Sequence, residues 1–199
     1  AADGVLRFEI KGLDVPVSVK IPVLGAYSRT WPLNCPKSDR IVRQVADYLS
    51  RPDTQQGLAD SGMLFLRATG DDRDLEVVRE WARKASAHRY PWYVGYGGIG
   101  LAECYLRTGD PEILANVQEW VDSAARTQHN DAWAGRGSAL TGYGQGHLNA
   151  AGTHVLSFLL LAKECGAKVP DETLHGALRH FYPYAGRGNN PYGDDRPYT

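Results

Sequence analysis

Between His129 and Asn149 the chain reads HNDAWAGRGSALTGYGQGHLN, the stretch richest in groups able to move a proton or grip an anion. An imidazole titrates near neutral pH and can act as base or acid, so His147 is a candidate general base. The Tyr143 phenol can protonate a leaving oxygen, and Arg136 and Asn149 can neutralise a carboxylate. These side chains suffice for β-elimination from a uronate-like sugar, with His147 and Tyr143 catalytic. His129, Asp131, Trp133, Arg136, Gln145 and Asn149 then bind the ligand, joined by Arg187 from the glycine-rich tail. The segment runs into an apolar helix expected at Leu148–Cys165, whose first amides and dipole favour an anion. Each residue also has a structural reading: His147 can cap or pack, Asn149 can bond a loop, Arg136 can hold Asp131. Arg187 can equally belong to a turn-rich segment that closes the last helix.

The remaining polar sets weigh less. His154 follows His147 by seven residues, so a continuous helix would put both on one face. Deep in an apolar helix it reads as a core histidine more readily than as a zinc ligand beside His147 and Asp131. No metal and no cofactor is expected. Cys35, Cys104 and Cys165 lack paired spacing; the last two read as small core residues, with one disulfide still open. The run His88-Arg89-Tyr90-Pro91-Trp92-Tyr93 can offer a sugar-stacking surface or simply bridge two helices.

A repeat must hold these groups in place. Leu66-Arg67 leads through Thr69-Gly70-Asp71 to Glu80-Trp81, and Thr108-Gly109-Asp110 leads to Glu119-Trp120, displaced by 39 residues. Cys165-Gly166 and the helix carrying Phe181 form a looser third copy. Each unit is an apolar helix, a glycine turn and an amphipathic helix, which must stack on a neighbour to bury its faces. Trp81 and Trp120 are therefore core, while Glu80 and Glu119 are solvated. Seven helices are expected, at 38–51, from Asp53 or Thr54 to Gly70, and at 71–87, 96–108, 111–128, 148–165 and 171–184. From Gly109 to Gly166 the second unit spans 57 residues against 39 for the first, so His129–Asn149 is the extra length in the repeat. Long insertions in compact repeats commonly carry function. Four glycines within Tyr93–Ala102 imply either helix starts crowding a central opening or tight helix contact.

Residues 5–24 alternate instead, with Leu6, Phe8 and Ile10 on one face of a first run and Val15, Val17, Val19, Ile21 and Val23 on one face of a second. This is a β-hairpin with one side to bury. Tyr27–Pro36 is a proline-punctuated connector. The expected domains are a hairpin at 1–26, a connector at 27–37 and a helical domain at 38–199. With 22 basic and 23 acidic residues, the charge gives no reason to expect nucleic acid as a partner. No apolar run reaches the roughly 20 residues a membrane helix needs, so no membrane partner is expected. Expected partners are a polar or anionic small molecule or glycan. The composition suits a soluble protein, with export to the periplasm or the outside left open.

The segments YSRTWPLNCPKS (27–38), TGYGQGHLNAAGTHVLSFLLLAKECG (141–166) and FYPYAGRGNNPYGDDRP (181–197) resemble an uncharacterised bacterial family. Its members are α/α toroids of terpenoid-cyclase-like shape, with a PDZ-like domain before the helices. The resemblance implies a mainly α fold, antiparallel helical hairpins forming part of an α/α toroid, with a short N-terminal β-hairpin as the remnant of the PDZ-like module. It transfers architecture and no reaction. Toroid lyases and hydrolases of polysaccharides use Tyr, His, Asn and Arg at helix starts, the residue types gathered here; the opposing reading is a non-catalytic scaffold for protein partners. On this picture the chain supplies part of a ring. Leu174, Leu178, Phe181 and Tyr182 should then show an apolar side for a second copy or further polypeptide to cover.

Overall fold

The computed structural model describes residues 4–21, 24–51, 61–133, 146–188 and 191–193. It divides into two compact units, Ala1–Tyr48 and Leu49–Thr199. In the first, strands β1 (Val5–Phe8) and β2 (Val17–Lys20) pair antiparallel, with Leu6 opposite Val19 and Phe8 opposite Val17. Alternation puts those four on one face, as the sequence pattern requires. That face was expected to be buried, yet all four side chains are exposed, Phe8 by 46%. Two short strands have no second layer of their own to cover them.

The connector ends on helix α1 (Pro36–Leu49), which begins two residues before the expected cap at Ser38. Proline suits a first helical turn, and the Cys35 carbonyl accepts the first bond, from the Asp39 amide at 3.0 Å. Arg40 donates to the Leu24 carbonyl, and the Lys37 ammonium sits 4.0 Å from the Tyr27 ring centre. Cys35 is fully buried, and the Ser28 amide donates to its sulfur at 3.3 Å. That bond leads the influences that hold the thiol at about 6.

The second unit holds α2 (Ser61–Thr69), α3 (Asp72–Lys84), α4 (Pro91–Thr108), α5 (Pro111–Thr127), α6 (Asn149–Glu164) and α7 (Asp171–Phe181). A 3₁₀ turn, Tyr182–Tyr184, follows. With α1 that makes seven helices among the described residues. The expected start of α2 at Asp53 or Thr54 lies outside them. Helix α4 begins five residues before its expected start, with Pro91 at a position where its missing N–H costs nothing.

The repeat is visible atom by atom. Gly70 and Gly109 both take left-handed φ, 71° and 64°. Thr69 Oγ donates to the Leu66 carbonyl, and Thr108 Oγ to that of Cys104, each at 2.8 Å. The Asp71 carboxylate accepts from the Arg73 amide and Asp110 from that of Glu112, both at 3.0 Å, capping α3 and α5. Downstream, Trp81 and Trp120 meet edge to face at 6.5 Å, with Trp120 buried and Trp81 half-buried. The third junction keeps the glycine, Gly166 at φ 85°, but Pro170 precedes α7 without a side-chain cap.

Helices α4 and α6 run side by side in one direction, with Gly95 against His154 and Gly98 against Phe158. A Cβ on Gly98 would lie 2.5 Å from the Phe158 ring, so close helix contact accounts for these two glycines. Helix α4 also packs on α2, while α3, α5 and α7 connect through side chains. Asn116 donates to the Ala82 and Arg83 carbonyls, and Gln128 to that of Thr173. The unit is thus two layers of antiparallel hairpins, with Leu101, Ile113, Val117, Trp120, Phe158 and Leu159 buried between them. On α7 Leu174 is buried but Leu178 is 45% exposed, and Tyr182 in the 3₁₀ turn after it is 80% exposed. All three cysteines are free and buried.

Candidate functional site

Because the hairpins alternate, the Thr-Gly-Asp turns occupy one end of the unit. The starts of α4 and α6 and the ends of α5 and α7 occupy the other. The long junction between α5 and α6 lies at that second end and is built around a tight turn. His129 and Ala132 exchange backbone bonds of 2.8 and 3.1 Å, with Asn130 and Asp131 at φ 46° and 71°. Left-handed backbone at two non-glycine residues is costly and must be held from outside. The Asp131 carboxylate supplies the hold, taking two bonds of 3.1 Å from Arg179 on α7. Gly176 makes room, since a Cβ there would meet Asp131 at 2.5 Å. The same carboxylate raises the Arg179 pKa further.

Two more backbone bonds close the site. The Leu148 amide donates to the Trp133 carbonyl at 2.8 Å, and the Ala150 amide to that of Tyr192 at 3.3 Å. Leu148 offers no side-chain cap to α6.

Three imidazoles gather at this end. His147 lies edge to face with His180, ring centres 5.3 Å apart, and 6.2 Å from His129. His147 is 7% exposed and Asn149 1%. The two nearest atoms of His180 and Asn149, Nε2 and Oδ1, are 2.7 Å apart. Nε2 therefore carries the proton and donates, which fixes the tautomer of His180. The other end of the Asn149 amide, Nδ2, is buried and has no acceptor among the described residues, and His129 Nδ1 is likewise buried without a partner among them. A buried donor left unpaired costs about 1–3 kcal/mol. Such a donor suits a bound acceptor. Phe181 and Tyr184 flank His180, at 4.9 and 6.3 Å between ring centres.

Of the residues singled out from sequence, His129, His147 and Asn149 come together. Asp131 instead holds the turn, engaged by Arg179. Trp133, expected as a ligand contact, is buried with its indole N–H bonded to the Ala124 carbonyl at 2.9 Å, a core placement. Arg187 is exposed in the tail, its amide bonded to the Tyr184 carbonyl. Arg136, Tyr143 and Gln145 lie outside the described residues.

His154 does not share a face with His147, because α6 starts only at Asn149. It points at α4, with its ring 4.2 Å from that of Tyr96 and Nδ1 bonded to the Ala150 carbonyl. Trp92 stacks on Tyr96 beside it, 5.8 Å away with planes 7° apart. Among the described residues no set of three or more His, Cys, Asp or Glu is placed to hold a metal ion. His180 is the residue that sequence reasoning missed. Its one local signal was a titratable group in the last turn of a helix, where the dipole favours a cation.

No helix among the described residues is long and apolar enough to cross a membrane. No curated protein and no solved structure matches the chain. Residues 38–199 match a family described as a domain of unknown function, DUF6288. That match takes in every helix beyond the first two residues of α1, and the chain belongs to this family.

Proposed function

We propose that the end of the helical unit carrying His129, His147, Asn149 and His180 binds an anionic, oligosaccharide-like ligand and performs lyase or hydrolase chemistry on it. The observation that carries this reading is the orphaned Asn149 Nδ2 beside the imidazole cluster. It is a buried donor at the start of an uncapped helix, where a carboxylate would find both a hydrogen bond and a favourable dipole.

For a uronate, β-elimination follows from those parts. The Asn149 amide and the α6 terminus take the carboxylate, making the adjacent ring C–H more acidic. His147 removes that proton, the C–O bond to the next sugar breaks, and a C=C bond forms in the ring. The leaving oxygen takes a proton from Tyr143, or from the Nδ1–H of His180 when that residue is an imidazolium, which returns to the neutral imidazole. Nothing is oxidised or reduced.

The layered hairpins are on this reading an arc of an α/α toroid, and residues 5–24 the last strands of a PDZ-like module. Nucleic acid and membrane are not its partners. A second copy or further polypeptide covers the exposed side of Leu178 and Tyr182. That exposed side also favours the second reading, a helical scaffold for protein partners without catalysis.

Turnover on a panel of uronate-containing glycans, followed by absorbance of the unsaturated product, separates the two. The enzyme reading expects turnover by the wild type and loss of it in His147→Ala and Tyr143→Phe. No turnover by the wild type, and no glycan contact with residues 129–149, leaves the scaffold.

A further inference from the structure

At the opposite end of the unit a cavity of about 300 Å³ opens between α2, α3 and the last turn of α4. That is the low end of the range for small-molecule sites. Three arginines line it, Arg67, Arg79 and Arg107, one from each helix. Guanidinium groups converging on one space repel each other unless a counter-charge sits between them. Arg67 is shared with Glu103 and Arg79 with Glu76, but Arg107 has no carboxylate within ion-pair distance among the described residues. Arg67 also keeps a buried Nε–H without an acceptor. An arginine presents five donors, so one carboxylate leaves most of them available. The lining includes one acid, Asp72, and one hydroxyl, Thr108, over an apolar floor at Leu75 and Val78.

We propose that this cavity is a second binding site, for a small phosphate-bearing molecule, independent of the histidine cluster. Arg107 and the free edges of Arg67 and Arg79 take the phosphate oxygens, as planar forks do best. Asp72 cannot face an anion favourably, so it accepts from a hydroxyl on the same ligand; a sugar phosphate meets both demands.

The test is titration of the protein with inorganic phosphate and with glucose 6-phosphate, at constant ionic strength held by sodium chloride. One-to-one binding of both is expected, glucose 6-phosphate the tighter. Arg107→Gln, an exposed change that leaves both ion pairs intact, should weaken each about tenfold or more, the usual worth of a charge-assisted bond. Asp72→Asn should tighten inorganic phosphate by removing a like charge and narrow its gap to glucose 6-phosphate. Arg79→Gln gives a second, independent arm. Absence of saturable binding, or binding that none of the three substitutions alters, overturns the proposal. Neither result bears on glycan turnover at the histidine cluster.

Discussion

The two ends of the helical unit are built on different rules. At one end Thr69-Gly70-Asp71 and Thr108-Gly109-Asp110 repeat a left-handed glycine, a threonine hydroxyl bonded back into the preceding helical turn and an aspartate cap. Each turn satisfies its own backbone locally, although Asp110 also accepts from Arg83 of α3 at 2.8 Å. At the other end the α5–α6 junction leaves the repeat. It places left-handed backbone at Asn130 and Asp131, relies on Arg179 of α7 to hold it, and leaves Asn149 Nδ2 without an acceptor. Local turns that satisfy themselves can be copied along a chain; a site needs groups left unsatisfied, and those must be braced by other elements. The repeated turns build scaffold, and the histidine cluster lies where the repeat is broken.

Substitutions at the two ends should therefore fail in different ways. The largest effect is expected at the histidine end. His180→Ala should cut glycan turnover by about 100-fold or more, the usual worth of a positioned acid or base. The melting temperature should fall by only about a few degrees, since the buried Asn149 Oδ1 loses its donor. Steady-state kinetics beside a thermal melt checks this, and equal loss of stability would make the cluster part of the scaffold.

Next comes the packing between the ends. Gly98→Ala forces a methyl against the Phe158 ring and should cost about 1–3 kcal/mol, the range for overpacking, by urea unfolding. Phe158→Leu in the same chain should recover part of that loss. A smaller loss, about 1 kcal/mol, is expected from Asp71→Ala, which removes one cap from the turn end. Turnover at the far end should stay unchanged. Loss of activity there would show that the two ends are coupled.

Outside the helical unit the effect is smallest and depends on pH. Cys35 sits at about 6, whereas burial pushes Cys165 up to about 11. Ultraviolet thiolate absorbance should rise with a midpoint near 6, and Cys35→Ser should abolish that step. The folded pKa lies below the ordinary 9.0, so this thiolate's contribution to stability is complete above the ordinary value. It fades as pH falls through about 6. The stability gap between wild type and Cys35→Ser should widen from pH 6 to pH 9.

Much of the fold could be read from the sequence because its determinants are local. The 39-residue echo marked both Thr-Gly-Asp turns, and the helical period marked each amphipathic stripe. Helix starts were read less well. The sequence pattern predicts α4 from Tyr96, but packing of Gly95 and Gly98 on α6 sustains helix back to Pro91. The hairpin pattern gave the right face and the wrong burial, since alternation records which side is apolar and not what covers it.

The site was half legible. His129, His147 and Asn149 are close in sequence and in space. His180 is not, and only the fold of α7 onto α6 brings it to the Asn149 amide. Trp133 misled because a polar surrounding sequence does not show that its indole N–H turns inward to Ala124.

The six histidines allow the contrast between regions to be read in one experiment. Imidazole resonances of the whole chain, assigned by single substitution, can be followed by NMR as a polyuronate is added. Shifts at His129, His147 and His180, with His88, His154 and His175 unmoved, are expected if the ligand occupies the α5–α6–α7 end. Shifts confined to His88 and His154, or none at any histidine, would contradict the assignment of the chemistry to that end.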